Sequence, residues 1–437
     1  YQEYWLNTDP DDADSDNDGM PDDWEYLYRF YGLDPTNASD ASGDLDNDGL
    51  NNVGEYNQDC DPTDSDSDDE FMPDGWAVSH GLNPLSNDAT SDLDTDGYEH
   101  ASEYLHASDP NDFSDIPDTN RTITVPADAG MIQDAIDWSI DGDVVVLQPG
   151  TYYEHNINFG GKAITLRSTD PNDWYVVEDT IVDAENFGYS SVFLLYSGED
   201  PNSVLRGITI QNAYFYGIFC GSSNPVIDRC IITDNNLNGI NCSNASPAIS
   251  NCKILNNFQS NSGTGISYSG NSSPLIINNW IHDNGSYGIY GSGSVAIQNN
   301  TIVGHATNGI KITSGTPIIN NCILWGNTDD LDGCSASYSC IEPPADATGA
   351  GNIISNPQFV DPNNDDYHLA TGSPCIDTGD SSGEYSGQQD IDGDVRLNQS
   401  YIDMGADESN WVHNLTQNTD YAWIQDAIDE ADEGDEI

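Results

Sequence analysis

The segment Pro225-Val226-Ile227-Asp228-Arg229-Cys230-Ile231 decides the fold, because its pattern returns 22 residues later as Pro247-Ala248-Ile249-Ser250-Asn251-Cys252-Lys253. A Gly-Ile dipeptide keeps step with this repeat at spacings of 22, 26, 23 and 21 residues. Its copies are Gly217-Ile218, Gly239-Ile240, Gly265-Ile266, Gly288-Ile289 and Gly309-Ile310. A fixed period near 22 residues indicates a solenoid, in which each repeat stacks on the next one.

Two further markers repeat with the same period. One is a Ser/Asn/Thr-Pro pair, found at Asn224-Pro225, Ser246-Pro247, Ser273-Pro274 and Thr316-Pro317. The other is a polar run, which we align as Asp228-Arg229-Cys230-Ile231, Ser250-Asn251-Cys252-Lys253, Asn278-Asn279-Trp280-Ile281, Asn299-Asn300-Thr301-Ile302 and Asn320-Asn321-Cys322-Ile323. Between these markers lie short runs rich in Ile and Val, which favour short strands over helices.

About 22 residues accommodate three short strands and three turns, so stacked copies predict a right-handed parallel β-helix. Asn suits the corners, because it tolerates left-handed backbone and can hydrogen-bond to the Asn stacked on it. The region resembles the pectate-lyase-like β-helix superfamily, in its periplasmic copper-protein (NosD-like) and surface-protein branches. We expect an amphipathic helix at 131–140 and a strand at 144–147. The resemblance implies that these two elements form the start of the β-helix domain.

The composition is strongly acidic: the 437 residues carry a formal charge of −67, from 76 acidic and nine basic side chains. Such a chain repels nucleic acid and anionic membranes and attracts divalent cations. There is no run of 18 apolar residues, so we expect no membrane span in this segment. Of the nine cysteines, Cys220 and Cys242, and likewise Cys230 and Cys252, are 22 residues apart. We expect each pair to be stacked neighbours, as thiols or as a disulfide; Cys334–Cys340 is a further possible disulfide.

Residues 1–118 hold 34 of the acidic residues and a single basic one, Arg29. Three segments place Asp at positions 1, 3 and 5, Gly at 6 and Glu at 12, which is the spacing of an EF-hand calcium loop. Calcium takes six to eight oxygens, and alternate residues of a tight loop direct theirs at one point. The predicted ligands are Asp14, Asp16, Asp18, Met20 (carbonyl), Asp22 and Glu25; Asp44, Asp46, Asp48, Leu50 (carbonyl), Asn52 and Glu55; and Asp92, Asp94, Asp96, Tyr98 (carbonyl) and Glu103.

A fourth loop is damaged. We align it on Asp64, Asp66 and Asp68, with Asp69 in place of the glycine and two extra residues before Met72. Its position 12 falls on Ala77, so weak binding, a carboxylate from a neighbouring segment and no binding all stay open. Short helices are expected after the loops, and none before them. Residues 1–115 resemble the bacterial thrombospondin type 3-like repeat family, which implies a calcium-stiffened extracellular spacer folded by its metal.

The predicted fold class is mostly β: a parallel β-helix preceded by a calcium-stabilised, EF-hand-like loop region with short helices. The segments are 1–118 (calcium repeats), 119–142 (linker, strand and capping helix), 143–331 (β-helix), 332–410 (C-terminal closing segment) and 411–437. The last one repeats Met131–Asp137 as Trp423–Asp429, so we expect a further β-helix module to begin there and the sequence to be part of a longer chain.

A parallel β-helix also suits enzymes that act on acidic polysaccharides, and a lyase of that kind needs an Arg or Lys base beside carboxylate-held calcium. Arg229 and Lys253 lie on successive repeats, but we interpret them as surface charge. Gly304-His305 and Lys311 are similar to polygalacturonase motifs, whose paired acidic residues are missing here. We interpret His305 as an exposed or corner residue.

These patterns favour a non-catalytic structural or adhesive module of a large, calcium-binding cell-surface or filament protein. We expect Ca2+ as the cofactor, a secreted or cell-surface location, and either end-to-end self-assembly or polysaccharide as the partner. The alternatives are a secreted polysaccharide lyase or glycoside hydrolase, and a carbohydrate-binding β-helix without catalysis.

Overall fold

A computed structural model describes residues 8–258, 263–342, 348–383, 385–397 and 401–409, with the backbone of residues 412–414 and 419–421. The chain divides into two compact units, Tyr1–Arg121 (unit 1) and Thr122–Ile437 (unit 2). The predicted repeat at Trp423–Asp429 lies outside the described residues. None of the helices in the described part has the length and apolar character needed to cross a bilayer.

Short helices alternate with acidic loops in unit 1, as predicted. They are α1 (Asp22–Tyr28), a 3-10 turn (Asp40–Ser42), α2 (Asn52–Gln58), α3 (Asp74–Ser79) and α4 (His100–His106). The apolar clusters between them are small. One consists of buried Met20, Leu33 and Ala41, with Trp24 and Tyr28 packed against it. Such a cluster buries too little apolar surface to hold a segment of this size by itself.

Unit 2 contains three parallel sheets, with strands numbered in chain order. Sheet A comprises β1 (Thr122–Val125), β2 (Val144–Leu147), β4 (Thr165–Ser168), β7 (Val204–Arg206), β10 (Val226–Asp228), β13 (Ala248–Ser250), β16 (Leu275–Ile277), β19 (Ala296–Gln298) and β22 (Ile318–Asn320). Sheet B comprises β3 (Gly150–Tyr152), β5 (Thr180–Asp183), β8 (Thr209–Gln211), β11 (Ile231–Thr233), β14 (Lys253–Leu255), β17 (Trp280–His282), β20 (Thr301–Val303), β23 (Ile323–Trp325) and β25 (Cys340–Ile341). Sheet C comprises β6 (Phe193–Leu195), β9 (Ile218–Gly221), β12 (Ile240–Ser243), β15 (Thr264–Ser269), β18 (Tyr287–Gly291), β21 (Asn308–Ile312) and β24 (Asp329–Asp332).

Each regular coil crosses sheet A, then sheet B, then sheet C, so the chain forms a solenoid of about nine turns. The predicted parallel β-helix is confirmed. Two helices and four more strands lie outside these sheets: α5 (Ile132–Trp138), α6 (Trp174–Asp179), β26 (Phe359–Asp361), β27 (Asp366–Leu369), β28 (Val412–Asn414) and β29 (Thr419–Tyr421). A 3-10 turn (Pro362–Asn364) joins β26 to β27.

The core consists of aliphatic side chains stacked in register. In sheet A, Ile227 pairs with Ile249, which pairs with Ile276. Sheets B and C add equivalent ladders through Ile254 and Ile266, and all five side chains are fully buried. Burying one such side chain contributes about 1.5–3 kcal/mol, so the stacked repeats carry the stability of unit 2.

The corner between sheets A and B holds one left-handed residue per coil. We call these five residues the corner row: Arg229, Asn251, Asn278, Asn299 and Asn321, with φ between 53° and 56°. The prediction of left-handed Asn at corners is therefore confirmed. The alignment of two copies is wrong by one residue, because the strand register pairs Lys253 with Trp280 and Trp280 with Thr301. The sequence of adjacent asparagines left this choice ambiguous.

A second asparagine stack lies inside the opposite corner. Asn235 Nδ2 donates to Asn257 Oδ1 at 2.9 Å, and Asn257 Nδ2 donates to Asn284 Oδ1 at 3.0 Å. His305 occupies the next position, with its ring nitrogens 3.3 Å from Asn284 Nδ2 and 2.8 Å from Asn327 Oδ1. The corner position of His305 is confirmed, but exposure is not, since the side chain is buried. Burial lowers its pKa to about 4.

Helix α5 lies within the predicted segment, with Ile132, Ala135 and Ile136 buried. Glu154 accepts hydrogen bonds from the backbone N–H groups of Ile132 (2.7 Å) and Gln133 (3.1 Å), which caps the helix start. These bonds satisfy two of the amide groups that a helix leaves without intrahelical partners.

None of the nine cysteines, all of them among the described residues, forms a disulfide, and all except Cys334 are buried. Cys220 and Cys242 are register partners on β9 and β12, as predicted. Cys340 is adjacent to Cys375 instead of Cys334, in a cluster with Ile323.

The closing segment extends back along the outer face of sheet B. Ala406 N donates to Thr301 Oγ1 (3.0 Å), and Gly405 N donates to the carbonyl of Asn321 (2.8 Å). The hairpin β26–β27 lies on the same face, where Trp280 and Tyr367 join one buried cluster. Residues beyond the last coil therefore cover one wall of the solenoid.

Candidate metal centres

The first acidic loop, residues 14–25, is a tight turn closed by its own carboxylates. Asp14 accepts hydrogen bonds from the amides of Asp18 (3.2 Å) and Gly19 (3.0 Å), and Asp18 Oδ1 accepts one from Met20 (2.8 Å). Gly19 has φ 99°, a conformation that side chains disfavour. This turn is the reason why the sequence places Gly at position 6.

The loops at 44–55 and 92–103 repeat this geometry. Gly49 N and Gly97 N donate to the Oδ2 atoms of Asp44 (3.1 Å) and Asp92 (3.0 Å). The amides at position 7 again donate to the position-5 carboxylates, at 2.6 Å in Leu50 and 2.9 Å in Tyr98. Three separate segments thus adopt one conformation, as the shared spacing predicts.

The glutamates at position 12 are the most unusual groups in unit 1. Glu25, Glu55 and Glu103 are all fully buried, and neither carboxylate oxygen of any of them has a hydrogen-bond partner. Burial, followed by repulsion from the loop aspartates, raises the pKa of Glu25 to about 9 and the pKa values of Glu55 and Glu103 to about 8. Buried carboxylates without partners are costly, and a bound cation would supply the missing interaction.

Carboxylate oxygens at position 3 also lack hydrogen-bond partners. Both carboxylate oxygens of Asp16 and one of Asp46 are buried without a partner. The pKa values of Asp16 and Asp46 rise to about 6, because of burial and the neighbouring aspartates. Carboxylate oxygens of Asp14, Asp16 and Asp18 lie within 4.8 Å of one another, as do those of Asp44, Asp46 and Asp48. These separations suit oxygens that share one calcium ion.

The side chains at position 9 make hydrogen bonds within unit 1, unlike the glutamates at position 12. Asp22 accepts hydrogen bonds from the amide (2.8 Å) and hydroxyl (2.7 Å) of Ser15, so its two oxygens brace the loop. Asn52 donates from Nδ2 to the carbonyl of Asp40 (2.7 Å), while its Oδ1 is buried and unpartnered. The roles of Asp22 and Asn52 as ligands stay predictions, as do those of the Met20, Leu50 and Tyr98 carbonyls.

Sequence reasoning missed Asp40. Its carboxylate lies within 4.8 Å of those of Asp18 and Glu25, and its Oδ1 is buried without a partner. Asp40 precedes the next loop by four residues, outside the motif that identified the site. The available signal was the repeat itself, because Asp88 stands four residues before the loop at Asp92.

The fourth loop begins at Asp66 and not at Asp64, so the predicted register is wrong. Ser67 donates to Asp74 through its amide (3.0 Å) and hydroxyl (2.6 Å), as Ser15 does to Asp22. Phe71, with φ 87°, occupies the glycine position. No residues are inserted, and Asp64 lies before the loop.

The carboxylates of this fourth loop are arranged differently, because position 12 is Ala77. Glu70 stands at position 5 and accepts hydrogen bonds from the amides of Asp88 and Ala89. Its other oxygen and Asp68 Oδ2 are buried without partners. The pKa values of Glu70 and Asp68 rise to about 7 and about 6, mainly through burial. This loop therefore offers fewer unsatisfied oxygens than the other three.

In the acidic turn at 390–394, backbone amides satisfy both oxygens of the Asp390 carboxylate. Asp390 Oδ1 accepts hydrogen bonds from the amides of Asp392, Gly393 and Asp394, and its Oδ2 accepts one from Glu408 N at 2.9 Å.

The two candidate catalytic bases are also engaged. Arg229 is 1% exposed and donates to the carbonyls of Ile391 (3.2 Å) and Asp390 (3.4 Å), so its interpretation as surface charge is wrong. Lys253 Nζ lies 4.1 Å from the ring centre of Trp174 and 5.2 Å from that of Trp280. Burial lowers the pKa of Lys253.

The other basic side chains likewise have partners within the chain. Arg206 pairs with Asp228 (2.9 Å) and Lys311 with Asp332 (2.6 Å). Buried Arg396 donates to the carbonyls of Asp403 and Gly405. The remaining ones are Arg29, Arg121, Lys162 and Arg167. Arg206 and Lys311 are thus paired with carboxylates, whereas Arg229, Lys253 and Arg396 are held by carbonyls or aromatic rings.

Comparison with known proteins bears on unit 2. A family model described as "Right handed beta helix region" matches residues 190–360. Unit 2 contains a right-handed β-helix domain. No curated protein matches the chain.

Several solved structures are similar to the chain at low identity. The pectate lyase Pel9A is 14% identical over 74% of this chain and 100% of its own, with a TM-score of 0.43. The pectin methylesterase from Aspergillus niger in deglycosylated form is 15% identical over 55% of this chain and 84% of its own, with a TM-score of 0.33. ORF18 of Geobacillus virus E2 is 14% identical over 50% of this chain and 57% of its own, with a TM-score of 0.33.

Proposed function

We propose that this chain is a calcium-binding structural module, in which unit 1 is a spacer made rigid by calcium and unit 2 is a non-catalytic β-helix. The spacer takes one ion in each of the loops 14–25, 44–55 and 92–103. The module belongs to a secreted or cell-surface protein, where calcium is abundant. The β-helix serves as a rigid element for adhesion or end-to-end assembly.

One observation carries the calcium proposal: Glu25, Glu55 and Glu103 are fully buried with all their carboxylate oxygens unpartnered. A cation in each loop would replace the repulsion between the glutamate and the loop aspartates by attraction to the ion. A dication bound by three or four carboxylates also requires no Lys or Arg nearby, and Arg29 is the single basic residue before position 119. Because metal binding and folding are coupled in such segments, calcium supplies the stability that the small apolar clusters lack.

The basic side chains of unit 2 are held by other groups of the chain, and this supports a structural role for the unit. A lyase acting on an acidic polysaccharide needs an accessible base to remove a proton. Arg229 is enclosed under the closing segment. The alternative, a polysaccharide lyase or hydrolase, would have to use Lys253 or residues with no such pattern in the sequence.

Chelator titration of the full chain tests the calcium proposal. We expect calcium removal to open protease cleavage sites within residues 8–115 and to leave the coils between 204 and 331 resistant. Calorimetry of the stripped protein should show at least three bound calcium ions per chain. An unchanged digestion pattern, or fewer than three ions, contradicts the proposal.

Incubation with a panel of acidic polysaccharides separates the structural role from the enzymatic one. Absorbance of unsaturated products should stay at the level of buffer with calcium present. Product formation that is lost in Lys253→Met but kept in Lys311→Met, a control at an exposed ion pair, would establish the lyase alternative.

A further inference from the structure

A second kind of polar cluster lies on the outer face of sheet B, outside the calcium loops. His282 is the last residue of β17 and is 2% exposed. Its Nδ1 hydrogen-bonds to Asp283 Oδ2 at 3.0 Å, a contact in which a metal ion would replace the proton, and lies 3.7 Å from Asp365 Oδ1. Asp365 follows the 3-10 turn of the closing segment, so it lies 83 residues after His282 in the sequence and yet beside it in the fold.

The distances suit a shared ion. Two ligands at about 2.0–2.2 Å from a zinc-class ion, at angles between square and tetrahedral, are about 2.9–3.5 Å apart. The 3.0 Å separation falls in this range, and the 3.7 Å separation needs a movement of a few tenths of an ångström. One imidazole nitrogen and two carboxylates form a donor set for Zn2+, Mn2+ or Fe2+, whereas calcium prefers oxygen alone.

The surroundings hold these donors in place. The hydroxyl of Tyr367 hydrogen-bonds to Asp283, and the rings of Tyr367 and His282 are 4.8 Å apart. A Cβ on Gly304 would come within 2.6 Å of Asp283 Oδ1, so this glycine leaves room for the carboxylate. Hydrogen bonds from outside the ligand set orient ligands in metal sites. The side chains of Asp283 and Asp365 are 47% and 55% exposed, which leaves the ion accessible to water.

The neighbouring histidine shows a different arrangement. His368 hydrogen-bonds to Asp366 through Nδ1 and to Asp392 through Nε2 at 2.7 Å, so both ring nitrogens have carboxylate partners. Burial alone would lower the pKa of His368, but the hydrogen bond and charge of Asp392, with Asp407 and Asp366, raise it to about 9. At His282, by contrast, both carboxylates face the same nitrogen.

We propose that His282, Asp283 and Asp365 bind one divalent transition-metal ion of the zinc class. The ion links strand β17 to the turn at 362–365, and so fastens the closing segment to the wall of the solenoid. Open coordination positions would be filled by water. This site is independent of the calcium loops.

Cobalt titration of the full chain, with calcium in excess to saturate the acidic loops, tests the site. We expect visible absorption bands from one Co2+ per chain, displaced by Zn2+. Asp365→Asn should weaken binding at least tenfold, and His282→Asn should abolish it. The matched control is Asp361→Asn, an acid of the same hairpin that lies outside the site and should bind cobalt as the parent does.

A second readout follows the closing segment. Zinc should slow proteolysis within residues 362–408 in the parent and in Asp361→Asn, but not in Asp365→Asn, whose exposed side chain makes misfolding a small concern. The proposal is overturned if no cobalt binds, if binding survives in Asp365→Asn and His282→Asn, or if near-ultraviolet charge-transfer bands show that a thiolate such as Cys334 holds the ion.

Discussion

The loops of unit 1 and the coils of unit 2 both use short repeats with left-handed polar residues, yet they satisfy their buried polar atoms differently. In the coils, the amides of Asn235, Asn257 and Asn284 pair with one another from turn to turn. In the loops, Glu25 and Glu55 converge with aspartates and leave their oxygens without partners. An amide both donates and accepts, so a stack of amides is self-sufficient, whereas carboxylates only accept.

This difference predicts different sources of stability for the two units. The coils should depend on apolar contacts and amide ladders, and so be indifferent to calcium. The loops should depend on calcium and tolerate changes in their small apolar clusters less well in its absence. Four substitutions test this contrast.

The largest effect is expected from Ile319→Ala in β22, because Ile319 faces the core and is 3% exposed. Loss of this side chain should cost about 2–5 kcal/mol of unfolding free energy of unit 2. The matched control is Ile318→Ala on the same strand, where the side chain is 64% exposed and the loss should be small. Denaturant unfolding should give the same difference in unfolding free energy between the two variants in calcium and in chelator. A difference that depends on calcium would contradict the view that the coils are stable without it.

The next effect is expected from Asn257→Ala, in the middle of the amide ladder. The substitution removes the acceptor of Asn235 and the donor to Asn284, so buried polar atoms lose partners at a cost of about 1–3 kcal/mol. Asn236→Ala is the control, since the side-chain amide of Asn236 donates to Asn186 at the surface. Thermal unfolding of both variants measures the difference, and equal transitions would show that the ladder adds little.

Glu25→Gln should act through calcium alone. The amide keeps the size of the side chain but removes its charge, and we expect the first loop to bind calcium at least tenfold more weakly, or about 1.4 kcal/mol. Asp23→Asn removes an exposed charge from the same helix and should leave the affinity nearly unchanged. Calorimetric titration of both variants checks this, and equal losses would indicate a general effect of charge.

The smallest effect is expected from Lys311→Met. Its ammonium group pairs with Asp332 at the surface, where water screens the interaction. Thermal unfolding of unit 2 should not change measurably with calcium or without it. A clear decrease would show that charge pairs on the wall matter more than the apolar ladders suggest.

Periodicity made the main features predictable. The 22-residue repeat gave the coils because each one buries the same positions, and the spacing of Asp and Gly gave the three loops because it fixes one backbone conformation. Both patterns are local, so a single sequence contains them. The calcium ligands themselves stay a prediction, supported by the unpartnered oxygens.

Features that depend on contacts between distant segments were not predictable. Asp40 joins the first site from outside its motif, and the closing segment has no period that would place it against sheet B. The fourth loop was misaligned because a large side chain, Phe71, takes a conformation usually reserved for glycine. The corner position of His305 was predicted, but its burial was not, because its ring replaces an asparagine in the amide ladder of the neighbouring coils.

The corner row has a consequence for the length of the domain. The closing segment bonds to Arg229, Asn278 and Asn321, which belong to alternate coils. Deleting one coil between Arg229 and Asn278 would preserve the stack but bring these anchoring points about 4.8 Å closer together. The closing segment thus fixes the number of coils between Arg229 and Asn321. Coils can be added or lost without disturbing these contacts only outside that interval.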